Sequence, residues 1–144
     1  MIYIASDHAG YRLKEFLKKY FEKNNIKYSD FGTYNERAVD YPDYAFKVAK
    51  KVAKQKGAKG ILICGTGTGM VIAANRIKGV RASLCYDNYS AVMSRKHNNS
   101  NILCLRARKV NFEKQLKITL RWMKTKFSNE ERHKRRIKKL DKIN

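Results

Sequence analysis

The stretch from residue 60 to residue 69, GILICGTGTG, decides the fold of this chain. Residues 60–64 form a continuous apolar run, which is typical of a central strand buried on both faces of a sheet. Residues 65–69 form a glycine-rich turn, and the sequence after it predicts a short helix over residues 70–76. A buried strand that leads through a tight turn into a helix is the repeating unit of a parallel α/β sheet.

The same alternation of strand and helix continues on both sides of this stretch. Apolar runs predict strands over residues 2–6, 26–31, 80–86 and 102–105. Helices are predicted between them, because apolar residues recur three and four positions apart. Short connections and right-handed crossovers then predict one doubly wound, Rossmann-like sheet of five parallel strands, with helices on both faces in a three-layer α/β/α sandwich.

The sequence also indicates which faces of the helices are apolar. The first helix is expected to end at Asn24-Asn25, and Pro42 suits the first turn of the second. Two later helices are predicted over residues 88–96 and 111–127. The apolar stripes are Leu13, Phe16, Leu17, Tyr20 and Phe21 in the first helix, Ala45, Val48, Ala49, Val52 and Ala53 in the second, and Leu116, Leu120, Met123 and Phe127 in the long helix.

The last predicted helix, over residues 128–144, is strongly basic. Ser128 and Glu131 have the spacing of a capping box, which places its start. Its apolar residues, Ile137 and Leu140, are too few to hold it on its own domain. We therefore expect this helix to reach a partner subunit at a dimer interface.

The composition describes one globular domain, residues 1–144. Hydrophobic residues make up 43% of the chain, which excludes a disordered protein. No apolar run approaches the ~20 residues of a membrane helix, and the N-terminus lacks the features of a signal peptide. The three cysteines are an odd number, which indicates free thiols in a reducing cytoplasm.

The chain is also strongly basic. Its 33 Lys and Arg against 12 Asp and Glu give a formal charge of +21. We interpret this charge as a lysine-rich solvated surface, because no nucleic-acid-binding motif accompanies it. A polyanion-binding protein is the remote alternative and predicts salt-sensitive binding. The same charge would attract a small phosphorylated substrate.

Ligands of a doubly wound sheet bind beyond the carboxyl ends of its strands. Residues 65–69 lie there, and they have neither the Gly-Lys-Ser/Thr of a Walker loop nor the spacing of a dinucleotide fingerprint. Alternate glycines let backbone N–H groups converge, and the following helix adds its positive end. This pattern favours a pocket for a phosphate or a developing oxyanion over a turn without a chemical role.

Side chains able to carry chemistry flank this turn. Cys64 ends the central strand, and a thiolate beside a helix N-terminus is stabilised, which makes Cys64 a candidate nucleophile or base. The alternative is a buried core cysteine, which is how we interpret Cys85 and Cys104. Asp7 and His8 end the first strand and are expected in the same cleft, although an Asp there often only caps a helix.

Other candidates lie further along the chain. Asp40, before Tyr41 and Pro42, is either a helix cap or a pocket residue. His97 and Asn98 end a helix before the fifth strand, and we expect them at the active edge.

Two arginines and the histidines complete the set. Arg132 and Arg136 share one helix face and can grip a phosphate, although composition alone favours a solvated helix. No pair of histidines has the spacing of metal ligands, so we predict no metal.

Taken together, these residues resemble the type B ribose-5-phosphate isomerases of the ribose/galactose isomerase family. The resemblance implies the fold predicted above, a homodimer or dimer of dimers with active sites between subunits, and no metal or organic cofactor. It also implies the interconversion of ribose 5-phosphate and ribulose 5-phosphate, a step of the pentose phosphate pathway, through a cis-enediolate. It rests on Asp7-His8-Ala9-Gly10, Gly32-Thr33, Asp40-Tyr41-Pro42, Cys64-Gly65-Thr66-Gly67-Thr68-Gly69, Ala73-Ala74-Asn75, Ser94-Arg95-Lys96-His97-Asn98, Arg108, and Arg132-His133 with Arg136.

The resemblance implies a role for each matched residue. Cys64 matches the base that moves the proton between C1 and C2, and Asp7 matches the residue that handles the O1 and O2 proton. The Thr66 hydroxyl is implied close to the sugar, in an anion hole formed by Gly65, Gly67, Thr68 and Gly69. His97 and Asn98 match the pair that opens the sugar ring from across the interface. The implied phosphate grip is His8, Arg108, Arg132 and Arg136, and Asp40 and Tyr41 belong to the implied substrate-binding set.

One position departs from the family pattern. Arg106 stands where the family commonly has a glycine, and it either alters the local turn or adds a charge near the phosphate. Hexose 6-phosphate isomerases of the allose or galactose type share the fold and much of the site. Cys64 favours ribose, and the sequence does not give the depth of the pocket.

Overall fold

The five predicted strands form one parallel sheet. A computed structural model describes residues 1–143, so Asn144, at the end of the predicted C-terminal helix, lies outside the described residues. The strand order is β2-β1-β3-β5-β4, which places β3 at the centre. The strands are β1 (Ile2–Ser6), β2 (Tyr28–Asp30), β3 (Lys59–Cys64), β4 (Ala82–Leu84) and β5 (Ile102–Arg106).

Helices cover both faces of the sheet, as predicted. They are α1 (Tyr11–Lys23), α2 (Tyr41–Lys54), α3 (Thr68–Ala74), α4 (Asn88–Asn98), α5 (Phe112–Lys124) and α6 (Glu131–Leu140). One apolar cluster joins the sheet to α1, α4 and α5, and a second joins it to α2 and α3. The three-layer sandwich is therefore confirmed.

The central strand carries both clusters. Ile61 and Ile63 pack towards α1 and α5, whereas Leu62 and Cys64 pack towards α2 and α3. This alternation follows from the two-residue period of a strand. The apolar run in the sequence is continuous because both faces of β3 are covered.

The edge strands are shorter than predicted. β2 and β4 have three residues each, because each pairs with a neighbour on one side only. Cys85 follows β4 rather than lying within it, and it is buried, as is Cys104 in β5.

The helical predictions need three corrections. Ala53 is exposed on α2, and α5 ends before Phe127. The buried face of α5 includes Trp122, which the predicted stripe missed. Trp122 is fully buried, and its indole N–H donates to the Ser100 hydroxyl at 2.7 Å, so its one polar group is satisfied.

The predicted capping box is also wrong. Helix α6 begins at Glu131, three residues later than predicted, and Glu130 precedes it without a side-chain cap. The Ser128 hydroxyl instead accepts the Glu130 N–H at 3.3 Å and bonds to His133. Leu140 is 52% exposed. Within residues 1–143, no helix combines the length and the apolar character that crossing a bilayer requires.

Candidate active site

The glycine turn lies at the carboxyl end of β3, over the end of β5. Gly67 has φ +81°, and a Cβ there would lie 3.1 Å from the carbonyl of Leu105. Only glycine fits both the backbone conformation and the contact. The backbone N–H groups of Thr66, Gly69 and Met70 find no acceptor within the described part of the chain. These donors are therefore free to bind an anion.

Cys64 points into this turn. Its side chain is 5% exposed, and its sulfur accepts the N–H of Gly67 at 3.1 Å. The carbonyl of Cys64 accepts the Ala107 N–H at 2.9 Å, which fixes the end of the strand. The sulfur therefore lies against the turn that carries the free N–H groups.

The loop after β1 runs beside the end of β3. The N–H of Asp7 donates to the Ile63 carbonyl at 3.1 Å, and the Asp7 carboxylate accepts the Gly10 N–H at 2.9 Å. His8 accepts the Val39 N–H on Nδ1 at 3.2 Å. A neutral His8 therefore carries its proton on Nε2 and can donate it to a ligand.

Tyr41 packs directly on the turn, whereas Asp40 does not. A Cβ on Gly69 would lie 2.8 Å from the Tyr41 ring. Asp40 is exposed and makes no capping hydrogen bond to α2. It borders a groove of about 520 Å³ that Tyr44 and Lys47 also line. The cap interpretation of Asp40 is therefore wrong.

Arg108 completes the carboxyl edge. Its N–H donates to the Gly65 carbonyl at 3.1 Å, and its side chain lies 3.3 Å from the position of a Cβ on Gly65. It borders a cleft of about 680 Å³, which we call the cationic cleft. The cationic cleft is lined by Gly65, Thr66, Leu84, Tyr86, Asp87, Arg106, Arg108, Lys109 and Lys114.

His97 and Asn98 do not lie at this edge of their own chain, contrary to the prediction from their position. Helix α4 ends at Asn98 and leads into the start of β5, which lies at the amino edge of the sheet. The Asn98 carbonyl accepts Arg81 Nε at 3.1 Å, just before β4 begins. A strand of five residues separates this edge from Cys64 by about 16 Å.

Arg132 and Arg136 lie with this second group. Helix α6 packs on α4, and the Ser128 N–H donates to the Lys96 carbonyl at 3.1 Å. Arg132 pairs with Glu130 at 2.8 Å. Arg136 is exposed and has no ion-pair partner among residues 1–143. The candidate residues therefore form two groups at opposite edges of the sheet.

His133 is a residue to which the sequence analysis gave no role of its own. Its side chain is 2% exposed, its Nδ1 lies 2.7 Å from the Ser128 hydroxyl, and its ring lies 4.4 Å from the His97 ring, centroid to centroid. The contact joins α4 to α6, so only the tertiary structure reveals it. His133 therefore holds the half-exposed ring of His97.

The His133 contact predicts an acid sensitivity of the fold. Burial lowers the pKa of His133, and His97, Arg132 and Arg136 lower it further against the opposing effect of Glu130. The folded state then binds fewer protons than the unfolded state. His133 thus contributes stability above its unfolded pKa of about 6.5, and the contribution is lost as the pH falls below that value towards the lower pKa of the folded state.

We expect the urea midpoint of the natural chain to be lower at about pH 5.5 than at about pH 7.5. This difference should be smaller in His133→Asn. Lys96→Gln, at an exposed neighbour of His97, is the matched control and should keep the full pH dependence. An unchanged pH dependence in His133→Asn would contradict this assignment.

No cluster of three or more metal-ligating side chains occurs within residues 1–143. The three thiols are free, and all are buried. Burial raises the pKa of Cys104 well above its usual value, so this cysteine stays protonated.

Comparisons with known proteins match nearly the whole chain. The Ribose/Galactose Isomerase family matches residues 2–140. Ribose-5-phosphate isomerase B of Escherichia coli is 37% identical over 142 residues, which cover 99% of this chain and 95% of that protein.

Solved structures give the same result. A ribose 5-phosphate isomerase of Thermotoga maritima superposes with a TM-score of 0.94 at 48% identity, covering 98% of this chain and 97% of that one. Ribose-5-phosphate isomerase B of Mycoplasma genitalium, solved with bound ribulose-5-phosphate, gives 0.93 at 42% identity and covers 99% and 94%.

Proposed function

Because this chain belongs to the ribose/galactose isomerase family, we propose that it interconverts ribose 5-phosphate and ribulose 5-phosphate through a cis-enediolate. Several relatives that match over nearly the full length carry the name of this activity, and others are named only as sugar phosphate isomerases. The structural observation that supports this proposal most directly is that the Cys64 sulfur lies against a turn with free backbone N–H groups.

The carboxyl-edge residues supply the chemistry of the isomerisation. The Cys64 thiolate removes the proton from C2 of the open-chain aldose and returns it to C1. Asp7 moves the hydroxyl proton from O2 to O1. The charge that develops on oxygen is stabilised by the free N–H groups of the turn, such as those of Thr66 and Gly69, and by the Thr66 hydroxyl. Tyr41 and Thr68 border the sugar. Neither an electron nor a hydride leaves the substrate, so the step calls for no redox cofactor, and the N–H groups of the turn are proposed to stabilise the charge that a metal ion stabilises in other enzymes.

The amino-edge residues complete the site from a second copy of the chain. His97 opens the furanose ring with Asn98 beside it, while Arg132 and Arg136 join His8 and Arg108 on the phosphate. Since the two groups lie a strand length apart in one chain, they meet only across a subunit interface. We therefore propose a homodimer, or a dimer of dimers, with shared sites.

The decisive assay compares three substrates without added metal. Coupled turnover of ribose 5-phosphate, allose 6-phosphate and galactose 6-phosphate should favour ribose 5-phosphate. Preference for a hexose phosphate would assign the chain to the other branch of the family. Failure to turn over any of them, with salt-sensitive binding of nucleic acid, would favour the polyanion-binding alternative.

Arg136→Ala should weaken substrate binding without slowing the chemistry. Among residues 1–143, Arg136 has no competing carboxylate partner, so none of these residues holds it away from the phosphate. Losing one charged hydrogen-bonding partner raises KM about tenfold and leaves kcat nearly unchanged, because the phosphate contact is the same in ground state and transition state. Steady-state kinetics measure this, with Lys139→Ala on the same helix as the control. A fall in kcat at constant KM would contradict the assignment.

The buried free thiols are consistent with a reducing compartment. We accordingly place the protein in the cytoplasm, where its sugar phosphate substrates are expected.

A further inference from the structure

The cationic cleft carries more positive charge than one phosphate requires. Four basic side chains line it, and none of them forms an ion pair within residues 1–143: Arg106, Arg108, Lys109 and Lys114. Its one carboxylate, Asp87, accepts the Ser90 N–H at 2.6 Å and caps α4. Asp87 interacts electrostatically with Lys114, so it offsets at most one of the four positive charges. With Arg108 assigned to the substrate phosphate, three remain without a role.

Arg106 lies beside the reacting end of the site. It is the register partner of Cys64 on the neighbouring parallel strand. Cys104, two residues earlier on β5, faces the same apolar cluster as Cys64. The two-residue period of the strand therefore directs Arg106 to the Cys64 side of the sheet, and Arg106 is exposed there.

One residue at the rim of the cleft has a backbone conformation that residues other than glycine rarely adopt. Lys109 has φ +54°. Such residues persist where the surrounding structure fixes them, and they are frequent at ligand sites. The turn after β5 thus keeps Lys109 close to the cleft that Arg106 and Lys114 line.

We propose that Arg106, Lys109 and Lys114 form a second phosphate subsite, next to C1 of the bound sugar. The inference rests on the proposed function for the position of C1. The ligand class is a pentose phosphorylated at both ends, with its second phosphate on O1. Such a compound cannot be isomerised, because the phosphate ester blocks the O1 hydroxyl, and it would bind as a competitive inhibitor. The same subsite chemistry accepts free inorganic phosphate.

Calorimetry with two unreactive ligands tests the subsite. Ribitol 5-phosphate and ribitol 1,5-bisphosphate differ only in the second phosphate. We expect the bisphosphate to bind the natural chain at least about tenfold more tightly, as two or more charged hydrogen bonds allow. Arg106→Ala should remove most of this ratio, and Arg106→Lys should retain part of it. Lys19→Ala, at an exposed lysine on α1, removes the same charge elsewhere and should leave the ratio unchanged.

A second titration separates the two sources of phosphate. Inorganic phosphate is added to enzyme already saturated with ribitol 5-phosphate. Uptake that Arg106→Ala abolishes supports the subsite, with the free ion as its ligand even if the bisphosphate shows no advantage. A ratio near one together with no phosphate uptake overturns the proposal, as does an equal loss in Lys19→Ala.

The same preparations are assayed on ribose 5-phosphate. Absence of turnover together with Arg106-dependent phosphate uptake would overturn the proposed function and leave the subsite standing. Urea midpoints confirm that each variant is folded.

Discussion

Cys64→Ala is expected to lose isomerase turnover by about 10³-fold, since general-base catalysis contributes on that scale. The remaining groups of the site still bind the substrate and stabilise the oxyanion, but no other side chain at the turn is proposed to accept the C2 proton. KM should change little, because the sulfur acts on the reacting carbon and not on the phosphate.

The variant should nevertheless fold. The substitution leaves a small cavity and removes the acceptor of the Gly67 N–H, which together cost about 1–3 kcal/mol. Circular dichroism and a urea titration measure this cost separately from the coupled assay. Cys64→Ser keeps a hydrogen-bond acceptor for Gly67 but replaces the thiol with a much weaker acid, so it should fold better than Cys64→Ala and be almost as inactive.

Cys104→Ala is the matched control. Cys104 is fully buried on the same side of the sheet, and its high pKa keeps it a thiol. Its removal should lower the urea midpoint comparably and leave turnover close to that of the natural chain. Near-normal turnover in Cys64→Ala would show that another group is the base.

The centre of this fold was predictable because its signals are local. The continuous apolar run of β3 indicates burial on both faces, and the glycines indicate a turn that only glycine can make. Both features are properties of a few consecutive residues. The edge strands were overestimated because an apolar run does not reveal that a strand has a neighbour on only one side.

The site was only half predictable for a geometric reason. His97 lies at the end of a helix that runs antiparallel to the strands, so it lies at the amino edge of the sheet. Its position in the sequence, shortly before a strand, does not show this direction. For the same reason, the sequence does not indicate contacts between residues of different helices and strands. The spacing of Ser128 and Glu131 predicts a capping box, whereas the Ser128 hydroxyl binds His133. No periodicity indicates the hydrogen bond from the buried Trp122 to Ser100.

Mixing two inactive variants is expected to restore activity. Cys64→Ala damages the carboxyl-edge group and His97→Asn damages the amino-edge group. In a dimer with shared sites, each site combines the carboxyl-edge group of one subunit with the amino-edge group of the other. A mixed dimer therefore has one site with both defects and one site with none. Random pairing makes half of the dimers mixed, and half of their sites intact, so co-expression should recover about a quarter of the natural activity.

The control for this experiment pairs two defects on the same edge. Cys64→Ala and Asp7→Asn both damage the carboxyl-edge group, so every mixed dimer has two defective sites and no activity should return. Differently tagged copies, purified through both tags, allow the mixed dimers to be assayed alone, and these should show about half the natural turnover in the first pairing. If each chain held a whole site, the first pairing would recover no more than the sum of its two parents. Recovery in the first pairing and not in the second would establish that the strand-length separation of Cys64 and His97 in one chain is bridged by a second copy.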